Sequence, residues 1–204
     1  MSRLTEIPLF PLQVVLFPGG CLDLQIFEQR YLDMVAQCLK HDSGFGLVLI
    51  ENGNEVLVNS GQAAPSVVRI GCYCKIIDFD QNQNGLLKIR IRGEDKFRIT
   101  DYFESASRLL RAEVEFLESE PAVSTTDQDE GLIEMLHNLL KHPTVKLQLQ
   151  ETEFEDASQL GGRLTELLPL SNAIRQNLFE MNDPVKRLRS LEKILDDLQS
   201  SAGG

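Results

Sequence analysis

The stretch that decides the fold spans residues 7–41 and reads IPLFPLQVVLFPGGCLDLQIFEQRYLDMVAQCLKH. Its first part holds short apolar runs separated by Pro and Gly, a pattern typical of strands that end in tight turns. Over residues 28–39 the apolar side chains change to the spacing of a single helical stripe. This stripe consists of Tyr31, Met34, Val35, Cys38 and Leu39. The stretch therefore predicts two strands followed by an amphipathic helix.

Strand signals continue from the end of this helix to residue 117. Short apolar runs are bounded by turn residues, among them Asn52 and Gly53, which tolerate the positive φ of a tight hairpin. Strands are predicted over residues 45–50, 55–58, 67–79, 86–91, 97–102 and 112–117. Many short strands separated by turns favour a small closed or partly closed β barrel, which the helix plugs or caps.

The composition changes after residue 118. Residues 119–128 read SEPAVSTTDQ, a polar stretch that predicts a linker. Helices are predicted beyond it, over residues 129–141, 155–168, 171–179 and 183–198. Gly161 and Gly162 lie inside the second of these helices and predict close helix packing or a kink there. The predicted fold class is α+β, with a β barrel over 1–118, a linker over 119–128 and a helical subdomain over 129–204.

Charge and composition exclude several classes of protein. The chain has 204 residues and a formal net charge of −11, which disfavours binding to nucleic acid and to anionic membranes. No apolar run approaches the roughly 20 residues of a transmembrane helix, and residues 1–6 lack the core of a signal peptide. The 4 cysteines are too few for a disulfide scaffold. We therefore expect a cytoplasmic protein without a membrane partner.

Several separated segments resemble one family. They are IPLFPLQVVLFPGG (7–20), IFEQRYLDMV (26–35), the hairpin-like segment 70–99 and LLPLSNAIRQNLFEMNDPVKRLRSLEKILDDL (167–198). In this order they resemble the N-terminal, substrate-recognition domain of Lon protease. That resemblance implies a PUA-like β barrel followed by a helical bundle, which agrees with the division predicted from periodicity.

The catalytic parts of Lon have no counterpart in the sequence. The phosphate-binding pattern G-x-x-x-x-G-K-[ST] does not occur, and the Ser-Lys peptidase domain is missing as well. The resemblance then implies a stand-alone bacterial version of the recognition domain, which is not an enzyme and needs no cofactor. We expect it to bind unfolded or extended polypeptides and to deliver them to a separate protease or chaperone. The oligomeric state is left open.

Candidate contact residues for a polypeptide lie near strand ends and on the predicted helix. They are Pro11, Phe17, Pro18, Tyr31 and Met34, for which an ordinary core position is the alternative interpretation. Glu28 and Arg30 belong to the family's FExRY element. We interpret them as a structural ion pair that holds the helix on the barrel, close to a groove where an unfolded segment could lie.

An RNA-binding module is the second hypothesis, because PUA-like barrels elsewhere bind RNA. Its candidate residues form a basic hairpin: Lys88, Arg90, Arg92, Lys96 and Arg98. The stripe lacks interleaved aromatics for base stacking, and acidic side chains lie among the basic ones. A solvated strand face is the alternative interpretation.

No catalytic residue and no metal site is predicted. Residues 80–85 match only the first half of an EF-hand loop, since Ile91 stands where the closing Glu should be. Cys72 and Cys74 point to one face of a strand, but no second pair completes a zinc site. We interpret them as small core residues. The three histidines show no metalloprotease spacing.

Overall fold

The computed structural model describes residues 4–55, 64–81, 86–143, 145 and 154–202. It divides into two compact units, Met1–Glu118 and Ser119–Gly204. The division falls where the composition of the sequence changes. Among the described residues, no helix combines the length and the apolar character that a bilayer crossing requires.

The first unit contains a mostly antiparallel sheet and one helix. Its elements are β1 (Thr5–Leu12), β2 (Cys21–Ile26), α1 (Gln29–His41), β3 (Phe45–Asn52), β4 (Ser66–Val67), β5 (Ile70–Gln81), β6 (Leu87–Glu104) and β7 (Leu110–Phe116). The strand predicted over 55–58 lies, except for Glu55, outside the described residues. The two strands predicted over 86–91 and 97–102 are one continuous strand of 18 residues, β6.

The strand pairings return to the strand from which they start. The sheet order is β1-β7-β6-β5-β3-β4, and β1 also pairs with β3. Strand β1 achieves this by sharing its length, because residues 5–8 pair with β7 and residues 9–12 pair in parallel with β3. Strand β2 lies off this path and pairs with β6.

The interior of the first unit is filled from the inward-facing positions of these strands. Phe97 is fully buried among Leu9, Val48, Ile99 and other apolar side chains. A Cβ atom on Gly71 would lie 2.6 Å from the Phe97 ring, 2.6 Å from Val48 Cγ1 and 2.7 Å from the Leu47 carbonyl oxygen. The Phe97 ring can therefore pack against β5 only because Gly71 has no side chain.

The second unit is helical in the part that the structure describes. A short 3-10 turn (Asp127–Asp129) is followed by α2 (Glu130–Leu140), α3 (Ala157–Leu167), α4 (Asn172–Glu180) and α5 (Pro184–Ala202). Helix α3 begins at a side-chain cap, with Asp156 accepting from the Gln159 N–H at 2.9 Å. Helix α4 begins in the same way, with Ser171 accepting from the Ile174 N–H. These caps are the residue types that satisfy free N–H groups at helix starts.

Close packing explains the glycine in α3. A Cβ atom on Gly161 would lie 3.1 Å from Arg187 Cδ and 3.3 Å from Leu188 Cδ2, both on α5. The close helix packing predicted from Gly161 and Gly162 is thereby located at the contact of α3 with α5. The absence of a side chain lets the long Arg187 side chain lie across α3.

Residues 119–128 differ from the spacer that the sequence predicts, because they pack within the second unit. The guanidinium of Arg187, fully buried, donates to both carboxylate oxygens of Glu120, and its Nη1–Oε2 distance is 2.9 Å. The Ala157 N–H donates to the Val123 carbonyl at 2.8 Å, and the Thr125 N–H donates to the Glu155 carbonyl at 2.9 Å. Polar composition predicted a linker, whereas these specific partners make the segment part of the unit.

Candidate functional site

Strand β2 lies at an edge of the sheet in the first unit. It pairs with β6 from Cys21, opposite Arg92, to Ile26, opposite Leu87. In the part of the chain that the structure describes, no strand pairs with its other edge. An unpaired strand edge presents N–H and C=O groups that an extended chain can join.

A cavity of about 210 Å³ lies beside this edge strand. Its lining comes from the end of β1, from β2 and from the start of α1: Phe10, Pro11, Leu12, Asp23, Leu24, Gln25, Ile26, Phe27, Glu28, Tyr31 and Glu55. Small-molecule sites usually measure roughly 300–1,000 Å³. The cavity is therefore of a size to take a side chain and not a whole cofactor.

One wall of the cavity is aromatic and rigid. The Phe10 ring stacks on Tyr31 with 4.1 Å between ring centroids, and it also lies 5.8 Å from the Phe45 ring. The Arg30 guanidinium lies over the Tyr31 ring, 4.4 Å from its centroid. Phe27 is different, because 57% of its surface is exposed although it lines the cavity. The wall is thus fixed by packing, while Phe27 offers exposed apolar surface at the rim.

Glu28 and Arg30 form an ion pair at the start of α1. Arg30 Nη2 lies 2.9 Å from Glu28 Oε2, and Arg30 Nη1 donates to the Arg108 carbonyl at 3.0 Å. Arg30 is buried, with 8% of its surface exposed. The pair therefore ties the first turn of α1 to the loop between β6 and β7, and this contact fixes Tyr31 in the cavity wall.

Burial also sets the protonation of Tyr31. Burial of the phenol is the main cause that raises the pKa of Tyr31 to about 12; Arg30 acts against it, and the Glu28 and Glu55 carboxylates act with it. The phenol consequently stays neutral at physiological pH. The aromatic wall carries no charge.

The charged side chains of the cavity lining are all acidic. They are Asp23, Glu28 and Glu55. Asp23 lies 3.1 Å from Lys88 Nζ, and Glu28 is paired with Arg30. Glu55 accepts from the Gln13 N–H at 2.6 Å. Among the described residues no cation lies within salt-bridge distance of Glu55, so its charge is the one left uncompensated.

The structure brings two of the five predicted contact residues to the cavity. Pro11 and Tyr31 line it. Phe17 and Met34 lie elsewhere, in the core, with 2% and 3% of their surface exposed. Pro18 is half-buried in the turn that follows Phe17.

The position of this turn has a local cause. The Gly19 N–H donates to the Gly93 carbonyl at 2.8 Å, and the Gly93 N–H donates to the Gly20 carbonyl at 2.9 Å. A Cβ atom on Gly93 would lie 2.5 Å from the Phe17 carbonyl oxygen. The turn is held against β6, and Phe17 points inward as a result.

Phe27, Asp23 and Glu55 line the cavity although they were not predicted from the sequence. The sequence contained a signal that could have identified Phe27, because this residue directly follows a predicted strand and belongs to the FExRY element. No comparable signal identified Glu55, because this residue meets Gln13, 42 residues away in sequence, only in the folded chain.

The basic hairpin is broken by a β-bulge. Lys88, Arg90 and Arg92 are exposed, but Lys96 is buried with 5% of its surface exposed. Gly93 pairs with Cys74 and Lys96 with Cys72, so β6 has one more residue than β5 in this interval. The prediction that Lys96 belongs to the basic face is therefore wrong.

Three of the four remaining basic side chains face acidic ones, and the fourth, Arg92, lies opposite Lys75. Asp23 contacts Lys88 and lies 3.8 Å from Arg90, Asp78 lies opposite Arg90, and Arg98 lies opposite Glu115. A phosphate backbone would meet this mixed charge instead of a continuous positive stripe. The RNA-binding hypothesis is not favoured by this surface.

The two cysteines of β5 are core residues. Cys72 and Cys74 are buried, and burial raises the pKa of the Cys74 thiol. The described part of the chain contains no cluster of three or more His, Cys, Asp or Glu side chains suited to a metal ion. Residues 82–85 of the calcium-like segment lie outside the described residues.

Comparison with known proteins points to one family. The sequence model described as ATP-dependent protease La (LON) substrate-binding domain matches residues 6–197. The Lon protease of Escherichia coli strain K12 is 23% identical over 206 residues, which cover 96% of this chain and 25% of that protein. The Lon protease of Erwinia amylovora is 24% identical, with the same coverage of both chains. The chain spans about a quarter of the length of these Lon proteases.

Solved structures agree with this result. The crystal structure of a Lon N-terminal domain protein from Xanthomonas campestris is 31% identical, with a TM-score of 0.73, and the match covers 93% of this chain and 98% of that one. The N-terminal domain of Mycobacterium avium complex Lon protease shares the fold at 19% identity, with a TM-score of 0.58 and coverage of 92% of this chain and 96% of that one. Because the family match extends over nearly the whole sequence, the chain belongs to the family of Lon substrate-binding domains.

Proposed function

We propose that this protein recognises extended segments of polypeptides without chemical turnover, at the cavity and the open edge of β2. The family match supports recognition of substrates, since the matching domain is described as substrate-binding. The observation that carries the location is that the free edge of β2 lies directly beside a cavity with an aromatic wall. The two features are what a sheet needs to bind an extended chain.

The mechanism combines two kinds of contact. Main-chain groups of an extended segment would hydrogen-bond to the free edge of β2, which supplies affinity without dependence on sequence. Alternate side chains of that segment point to the same side, so one of them would enter the cavity against Phe10, Tyr31 and Phe27. The apolar side chain would supply the selectivity of the site.

The finer architecture belongs to the same proposal. The closed series of pairings from β1 through β7, β6, β5 and β3 back to β1 supports a PUA-like barrel for the first unit. The contacts of α3 with α2, α4 and α5 support a helical bundle for the second.

The place of action is also part of the proposal. The 4 free thiols fit action in the reducing cytoplasm. Delivery of bound segments to a separate protease or chaperone completes the proposed role.

Replacement of Phe27 tests the location. We expect Phe27→Ala to weaken binding of a permanently unfolded model polypeptide by about fivefold or more, because exposed aromatic anchors dominate such interfaces. Fluorescence anisotropy of the labelled polypeptide measures the dissociation constant. Phe103→Ala is the matched control, since Phe103 is also an exposed phenylalanine of the first unit but does not line the cavity.

A structured RNA hairpin, measured in the same assay, separates the two classes of function. The proposal requires polypeptide binding that depends on Phe27 and survives moderate salt. Salt-sensitive RNA binding without polypeptide binding would refute it.

A further inference from the structure

We infer that the cavity beside β2 selects extended segments in which an apolar side chain is accompanied, two residues away, by Lys or Arg. This inference rests on the proposed function and names the class of segment that the same site prefers. It is carried by the charge of the cavity lining and by the geometry of an added strand.

The lining combines an apolar surface with an uncompensated negative charge. Of its three carboxylates, those of Asp23 and Glu28 lie within salt-bridge distance of cations. Glu55 accepts a hydrogen bond from the Gln13 N–H, and within the described ranges no cation lies within salt-bridge distance of it. Its position is exposed, so a cation from a bound segment can reach it without being fully desolvated. Among the described residues that line the cavity there is no Lys or Arg that would repel such a cation.

Strand geometry sets the spacing between the two recognised side chains. In an extended segment, residues i and i+2 point to the same side and are separated by roughly 6.6–6.8 Å along the strand. A segment added to β2 that places residue i in the cavity therefore presents residues i−2 and i+2 at the rim. A long Lys or Arg side chain there reaches the carboxylates around the cavity, whereas Asp or Glu is repelled by them.

The charge of the whole chain acts in the same direction. A net charge of −11 attracts cationic segments and slows the approach of acidic ones. Long-range attraction alone would favour any cationic peptide. The inference is narrower, because it requires an apolar side chain and a cation at a fixed spacing and assigns the local part of the preference to Glu55.

Short peptides in a Gly/Ser background test the inference on the whole protein. One series carries Phe with Lys, Gln or Glu two residues on either side, and a second series replaces Phe by Ala. We expect the Phe peptide with Lys to bind roughly threefold or more tightly than the one with Gln, and the peptide with Glu to bind most weakly. The difference should nearly vanish at about 1 M salt, where the screening length falls to about 3 Å.

Variants of Glu55 assign the preference to the site. Glu55→Gln keeps an oxygen for the Gln13 N–H and should reduce the preference for Lys over Gln, and Glu55→Lys should reverse the order of the Lys and Glu peptides. Glu113 is also exposed and does not line the cavity, so Glu113→Gln and Glu113→Lys are controls with the same change in net charge.

The outcomes distinguish the selectivity from the function. Equal binding of the Lys, Gln and Glu peptides, with loss of binding in the Ala series, overturns the charge selectivity and leaves polypeptide recognition intact. A preference for Lys that Glu55→Lys does not reverse also overturns it. Absence of binding in both series overturns the proposed function and the inference together.

Discussion

At the scale of single residues, the second unit depends on a few buried charges with complete sets of partners. Arg187 is fully buried and donates to Glu120, to the Leu178 carbonyl and to the Met181 carbonyl. Removing one partner from a buried ion pair costs about 3–5 kcal/mol, because the other charge stays buried. Loss of Glu120 would therefore be strongly destabilising.

Asp129 gives a pH-dependent prediction at this scale. Burial of this carboxyl raises its pKa, but hydrogen bonds from the Thr126 N–H and hydroxyl, together with Arg189, outweigh burial and lower the pKa below its ordinary value. A lowered pKa in the folded state stabilises the fold above the unfolded pKa, and this contribution is lost as the pH falls through the folded value. We therefore expect Asp129→Asn to be less stable than the wild type at neutral pH.

The measurement is the free energy of unfolding in urea as a function of pH. The difference between the wild type and Asp129→Asn should be largest near neutrality and should shrink below about pH 4, the ordinary pKa of Asp. Asp127→Asn, an exposed neighbour in the same turn, serves as the control. A difference that stays constant down to strongly acidic pH would contradict the assignment.

At the scale of elements, local patterns predicted the strands and helices but missed their continuity. The sequence predicted separate strands over residues 86–91 and 97–102, whereas β6 is one strand that spans both. In the structure the pairing with β5 continues across a bulge between Gly93 and Lys96, so the strand is not interrupted. A bulge depends on the partner strand, and periodicity within one strand does not contain that information.

Replacement by alanine should have opposite effects on stability at Gly71 and at Gly131. Gly71→Ala places a methyl group against the Phe97 ring and the Leu47 backbone, so we expect a loss of about 1–3 kcal/mol in stability. Gly131 lies near the start of α2 with nothing within 4 Å of a Cβ atom, and Gly131→Ala should gain up to about 1 kcal/mol. Thermal unfolding followed by calorimetry measures both. Equal effects of the two substitutions would contradict this account of the packing.

At the scale of the whole molecule, the first unit ends at residue 118, where the sequence predicts its end, but the residues that follow are not a spacer. Residues 119–128 look like a spacer, but Glu120, Val123 and Thr125 bond to residues of the second unit. The second unit therefore begins at Ser119 and includes the segment predicted as a linker.

Two fragments test this boundary. We expect the fragment 119–204 to be helical and to unfold cooperatively, because it keeps Glu120 as the partner of Arg187. The fragment 129–204 should lose most of this stability, since Arg187 would stay buried without its carboxylate. Circular dichroism during urea unfolding measures both fragments. Equal stability of the two would show that residues 119–128 are a spacer after all.

The sequence by itself determined the strands, the helices and several of their ends, because these depend on residues close together in the chain. Alternating apolar residues, Ser171 at the start of a helix, and Gly161 at a close contact are signals of this kind. Only the tertiary structure decided what surrounds the cavity. Glu55 meets Gln13 across 42 residues of sequence, and β2 has a free edge because β1 pairs with β7 and β3 instead. Contacts between distant segments depend on how the whole chain closes, which no local pattern of residues records.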